Sequence, residues 1–166
     1  MESKMVLSIL VENTPGLTSR ISGLFSRRGY NIDSFSAGVT ADARFTRVTI
    51  VTHGDAMILE QIEKQVSKLE EVVDVKVLET GNSVTRELML VKISARNTDR
   101  QDVLTIVEIF KGRVVDVDHD SMVLEVTGNQ DKLQSFLDML SDYDILELAR
   151  TGITGLSRGI QDVVIL

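Results

Sequence analysis

The chain alternates short apolar runs rich in β-branched residues with longer stretches whose apolar positions recur every three or four residues. Residues 5–11, MVLSILV, are too few for a free helix and stop at the turn Asn13-Thr14-Pro15-Gly16, which predicts a buried central strand. Beyond the turn, Leu17, Ile21, Leu24 and Phe25 form one helical stripe closed by Arg28, and Gly29 ends the helix. Residues 32–39 and 45–52 then read as two strands joined by a polar loop over 40–44, a hairpin by loop length. Over 56–69, Ile58, Leu59, Ile62, Val66 and Leu69 share one helical face. Val73, Val75 and Val77 alternate with Asp74 and Lys76 in a half-buried strand, so the order is βαββαβ, ending near Glu79.

A polar break at Thr80-Gly81-Asn82-Ser83 follows, and the same order starts again. Residues 88–93 predict a strand, and 100–110 a helix with Val103, Ile106, Val107 and Phe110 on one side. Residues 114–117 and 122–127 predict a hairpin around Asp118-His119-Asp120; a helix carrying Leu133, Phe136, Leu137 and Leu140 and a strand over 145–149 close the unit. The tail from Thr151, with Gly152, Gly155 and Gly159, is expected to be irregular. Arg28-Gly29-Tyr30-Asn31-Ile32-Asp33 matches Lys111-Gly112-Arg113-Val114-Val115-Asp116 at a constant offset of 83, as Arg28 to Lys111 shows. The expectation is an α+β chain of two tandem ferredoxin-like βαββαβ domains, each an antiparallel sheet with helices on one face. By chain order the first spans 1–79, a linker 80–84, and the second, with the C-terminal tail, 85–166.

The first turn carries the most chemistry. Thr14 is placed to cap the helix and Pro15 to take its first position. Unpaired N–H groups near Gly16 and Leu17 then make a small anion site that fits a carboxylate; the simpler reading is a well-capped helix and nothing more. The offset of 83 carries Asn13 to Arg96 and Gly16 to Asp99, so the second unit lacks this turn, and an aspartate there would repel a carboxylate. One kind of site per chain, in the first half, is expected. The second strand of a βαββαβ sheet lies at an edge, and here it carries Ser34, Ser36 and Gly38 without a protecting lysine or proline. Two copies joined edge to edge about a twofold axis would set the turn of one chain against Asn31 of the other. A small amino acid fits between them, its carboxylate on the helix amides, its ammonium on carboxamide or carbonyl oxygens and its side chain on Leu17 and Ile32. The other reading of Asn31 is a local hydrogen bond at the strand entry.

Composition narrows the function. Hydrophobic residues are 43% and charged residues 26%, as in an ordinary globular protein. The net charge of −7, with two tyrosines, five phenylalanines and no tryptophan, leaves no basic, aromatic face for nucleic acid; Arg20, Arg27 and Arg28 read as a solvated helix face. No apolar run reaches the ~20 residues that cross a bilayer, and no secretory signal or cysteine is present, so a cytoplasmic protein without membrane partners is expected. His53 and His119 have no partner at metal-ligand spacing. Asp116, Asp118 and Asp120 read as turn chemistry, with a weak divalent-cation site as the sharper alternative. No nucleophile elbow, P-loop or dinucleotide fingerprint occurs, so catalysis by this chain is not expected.

The run Asn13-x-x-Gly16 followed by SRISGLFSRRGYNIDS resembles the small regulatory subunit family of acetohydroxyacid (acetolactate) synthase. The resemblance extends over Arg86-Glu87-Leu88-Met89-Leu90-Val91-Lys92, Ala149-Arg150-Thr151-Gly152 and Leu156-Ser157-Arg158-Gly159, nearly the whole chain. It implies an N-terminal ACT domain, a homodimer, and docking on a large catalytic subunit that uses thiamine diphosphate, Mg²⁺ and FAD, none of them held by this chain. That subunit condenses pyruvate with pyruvate or 2-oxobutyrate; the small subunit raises its activity and confers feedback inhibition by a branched-chain amino acid, usually valine. The residues that the resemblance assigns to the effector are Asn13, Gly16 and Asn31, all present. One departure is Gly16-Leu17-Thr18, where the family has Gly, Ala or Val, then Leu, and this leaves the preferred amino acid open. Two other functions share the fold. An amino-acid-responsive transcription regulator would need a DNA-binding partner, and an acylphosphatase-type enzyme would need an arginine in the anion loop, which Asn13–Gly16 lacks.

Overall fold

A computed structural model of the chain describes residues 3–96, 100–160 and 163–164. The elements are β1 (Ser3–Glu12), α1 (Leu17–Arg28), β2 (Ser34–Val39), β3 (Phe45–Gly54), α2 (Ala56–Val66) and β4 (Val72–Val77), followed by β5 (Ser83–Ser94), α3 (Arg100–Ile109), β6 (Arg113–Val117), β7 (Ser121–Gly128), α4 (Gln130–Met139), β8 (Ile145–Arg150) and β9 (Thr154–Ser157). They form two units: residues 1–84 together with 153–166, and residues 85–152.

In the first unit the sheet order is β2-β3-β1-β4, every pair antiparallel. Alternation along β1 sends Met5, Leu7, Ile9 and Val11 to the helical face, where they meet Val48 and Ile50 of β3, Ile21, Leu24 and Phe25 of α1, and Ile62 and Val66 of α2. The opposite face carries Ser8, Leu10, Thr49 and Val51, all buried. β2 hydrogen-bonds to β3 on one side and is an open edge on the other. The second unit repeats the plan with order β6-β7-β5-β8, and Met89, Val91 and Ile93 pack against Val103, Val107, Leu133 and Phe136. There Glu87, 4% exposed, receives two hydrogen bonds of 2.9 Å from Arg150 across the β5–β8 pair. A carboxylate removed from water needs such a fork, since an unpaired buried charge is heavily destabilising.

Several expectations shift. β5 begins at Ser83, so the polar break is a tight turn, with Gly81 at φ 89° and Asn82 N donating to Glu79 O. α2 stops at Val66: Lys68 and Leu69 donate to Gln65 and Val66 instead, the three-residue bonds of a tightened last turn. β2 starts at Ser34, leaving Asn31 and Ile32 ahead of the strand. The tail is not irregular throughout. It contains β9 and groups with the first unit, where buried Ile153 donates its N–H to Ser34 Oγ and Arg158 N donates to Asn82 O. Ser34 pairs with Val51 on the face opposite the helices, so this segment lies on that face. Four residues with a single apolar side chain, Leu156, and a glycine among them are too few to display a period of two, which hid the strand.

Candidate functional site

Asn13 leaves β1 and is tied to the β2–β3 loop twice, its N–H to Arg44 O at 2.7 Å and its Nδ2 to Ala43 O at 3.1 Å. Its carboxamide oxygen is unspent among the described residues. The loop is itself stiffened: Arg44 forks onto Asp42 through Nε and Nη2, and its N–H reaches Asp42 Oδ1. The side-chain hydrogen bond from Arg44 is the chief reason that the Asp42 carboxyl is lowered to about 2, with the Arg44 N–H second.

Thr14 does not cap α1, and Pro15 is not its first residue. The helix starts at Leu17 after Gly16, which has φ 81° and ψ 1°, and no side chain caps it. Leu17 N turns back to Thr14 O at 3.4 Å. Proline second and a left-handed glycine third are the requirements of a type II turn, and that local geometry overrides the cap. Thr14 Oγ1 consequently sits buried with no hydrogen-bond partner among the described residues. The contrast with other helices is informative, because Asp55 caps α2 and Asn129 caps α4. The mouth of α1 has no side-chain cap and no acid in its first turn, leaving a positive dipole end open at exposed Gly16. Leu17, expected on the ligand's side chain, is 7% exposed and belongs to the core; Ile32 packs half-buried on the same core.

Asn31 is held at both ends. Thr52 Oγ1 donates to its carbonyl at 2.6 Å, and its Nδ2 donates to Asp33 Oδ1 at 2.6 Å. The local bond weighed from sequence is therefore present. Asp33 also meets His53, whose Nδ1 lies 3.0 and 2.9 Å from the two carboxylate oxygens. A carboxylate only accepts, so that nitrogen carries the hydrogen. Sequence reasoning missed Asp33 and His53. The signal was in the hairpin register: Val39 opposite Thr46 and Ser34 opposite Val51 run on to set Asp33 beside the end of β3.

The two groups lie at opposite ends of one sheet. Asn13 is fastened to Arg44, before β3, and Asn31 to Thr52, near its end. Eight residues of strand at ~3.3 Å each separate them by about 25 Å. No small molecule bridges that span within one chain.

The remaining candidates are weaker. Asp99, the counterpart of Gly16, lies outside the described residues, and Arg96 is exposed. Among the described residues no three His, Cys, Asp or Glu side chains converge as metal ligands; His119 Nδ1 meets Asp120, and Arg100 donates to the carbonyls of Asp118 and His119. A cavity of about 250 Å³ in the second unit is lined by Arg86, Thr127, Gly128, Asn129 and Lys132. Both cations there donate to backbone carbonyls and Asn129 caps the helix. Among the described residues no helix is long and apolar enough to cross a membrane.

Comparison with known proteins agrees with both units. The family model described as the AHAS small subunit-like ACT domain matches residues 7–74, and that described as the small subunit of acetolactate synthase matches 86–159. The acetolactate synthase isozyme 3 small subunit of Salmonella typhimurium is 47% identical over 94% of this chain and 96% of its own. The probable acetolactate synthase small subunit of Archaeoglobus fulgidus is 44% identical over 94% and 98%. The crystal structure of the acetolactate synthase small subunit from Thermotoga maritima superimposes with a TM-score of 0.87 at 37% identity, over 95% of this chain and 99% of that one. A βαββαβ unit with an open helix mouth, a second unit of the same order, and relatives matched end to end place this chain in the family of acetolactate synthase small, regulatory subunits, with an ACT domain in its first half.

Proposed function

We propose that this chain is a non-catalytic homodimer that binds an acetolactate synthase catalytic subunit, raises its activity, and confers feedback inhibition by a branched-chain amino acid, valine first among them. The catalytic partner carries the thiamine diphosphate, Mg²⁺ and FAD that the reaction uses. The effector lies between two copies of the first unit, its carboxylate on the α1 mouth at Gly16, its ammonium on Asn31 of the other copy, with Asn13 completing the shell and Thr14, Pro15, Leu17 and Ile32 shaping it.

The observation that supports this reading is the separation of the two polar groups along β3, with open β2 running between them. Antiparallel pairing of β2 with a second β2 about a twofold axis brings the start of one strand to the end of the other. The Asn31 end of one copy then approaches the Asn13 and Gly16 end of its partner, and two equivalent sites form. A coupling of ~1–3 kcal/mol suffices for feedback and is within reach of a few charged hydrogen bonds.

The test is reconstitution of the synthase with this chain, titrated with valine, leucine and isoleucine. Activation followed by saturable inhibition is expected. Absence of inhibition at millimolar amino acid contradicts the sensor role. Asn13→Ala and Asn31→Ala should each raise the half-inhibiting concentration more than tenfold, since a hydrogen bond to a charged group contributes roughly 1.5–3 kcal/mol, while activation persists. Parallel loss of activation would assign these residues to folding or docking.

A further inference from the structure

On the reading that the effector meets Asn31, we propose that Ser34 is a positioning residue that carries the effector's arrival out of its site. The Ser34 hydroxyl holds Ile153, and inhibition depends on that bond while effector binding does not. Residues 31–34 form a short arm at the entry of β2. Its footing on β3 is firm: Thr52 Oγ1 donates to Asn31 O at 2.6 Å, Asp33 N donates to Val51 O at 2.8 Å, and His53 lies against the Asp33 carboxylate. An arm pinned at several points moves as one piece, so a ligand drawn onto Asn31 bears on Ser34. Ser34 Oγ accepts the N–H of Ile153 at 3.0 Å, on the face of the sheet opposite the helices. Ile153 is buried, and a buried N–H that loses its acceptor is heavily disfavoured. The bond therefore holds or breaks, because it weakens steeply with distance and angle.

Ile153 is also where the chain re-enters the first unit. Gly152 is the last residue of the second unit, and Thr151 before it is fastened to β5. The Thr151 N–H donates to Leu88 O at 3.0 Å, and its Oγ1 accepts from Leu88 N at 3.1 Å. Arg150, one residue earlier, forks onto buried Glu87. Between the two anchors stands Gly152 alone, in the left-handed conformation at φ 80°. Two residues of chain reach at most ~7 Å, so the connection has no slack. A shift at the strand entry thus reaches β5 and β8 across two peptide units. Without the bond to Ser34, a return through glycine would absorb it.

The full-length chain is compared as wild type, Ser34→Ala, Ser34→Thr and a variant with a glycine pair inserted after Gly152. Calorimetry reads valine affinity, and the reconstituted synthase is assayed with and without saturating valine. Ser34→Ala and the insertion are expected to keep valine affinity within about threefold of wild type and to keep activation, while maximal inhibition falls by roughly half or more. Ser34→Thr, which retains the hydroxyl, should restore inhibition. Full inhibition in Ser34→Ala or in the insertion variant overturns the proposal and leaves the sensor reading intact. So does a loss of valine binding or of activation in step with inhibition, which would make Ser34 part of the site or of the fold. A wild-type chain that binds no branched amino acid overturns both.

Discussion

Asp42 and Arg44 form no part of the proposed effector shell, yet they set the loop on which Asn13 hangs. The folded carboxyl of Asp42 titrates at about 2, below its ordinary 3.8, because Arg44 donates to the charged form. A depressed folded value means that the pair contributes above the ordinary value and that its contribution is lost as pH falls from about 4 to 2. Arg44 is exposed and Asp42 half-buried at the surface, so the effect is local order, with little bearing on global stability. Arg44→Ala should return Asp42 to about 3.8 in a carboxyl NMR titration; a midpoint that stays near 2 would remove Arg44 as the cause. The same scale shows where sequence stops being legible. Gly16 and Asn31 could be picked out because turn and strand-entry residues have local signatures. The pairing of Asp33 with His53 is non-local, set by hairpin register, and the type II turn at Pro15-Gly16 competed with the cap at Thr14 using the same four letters.

Among the elements, β2 and β9 carry the sharpest consequences. β2 exposes Ala37, Gly38 and Val39 along an edge that no lysine guards. Ala37→Lys places like charges across the proposed twofold axis, and sedimentation velocity should record a shift from dimer to monomer. A mutant that stays dimeric at micromolar concentration contradicts pairing through β2. β9 is reached through Ile153, which is 5% exposed on the face of the first sheet opposite the helices. Ile153→Ala should destabilise the first unit by about 2–5 kcal/mol, as large-to-small changes in packed sites do, with urea unfolding as the measurement. A loss below 0.5 kcal/mol, the scale of an ordinary surface change, would show that the segment rests on the sheet without being packed. β1, buried on both faces, showed only as a continuous apolar run, and in β4 a register shift puts Val72 rather than Val73 on the core beside Val75. Helix α1 could be read directly from period and glycine stop, because it buries one face against its own unit. β9 could not, since Gly155 and a four-residue length erase the period that burial usually imprints.

At the scale of the molecule, one sheet holds the two polar groups of the proposed site too far apart to serve one ligand, and in the proposed dimer a second copy closes the gap. The duplication foresaw two units of the same order, while the segment from Ile153 groups with the first of them. The shared site makes a direct demand on mixed dimers. Asn13→Ala and Asn31→Ala each damage both sites of their own homodimer. In a heterodimer of one with the other, both lesions fall in a single site and the second site is wild type. Calorimetry of differentially tagged, purified heterodimers should therefore recover valine binding at wild-type affinity and half the wild-type stoichiometry. Heterodimers that bind no better than either homodimer would contradict a site built from two chains.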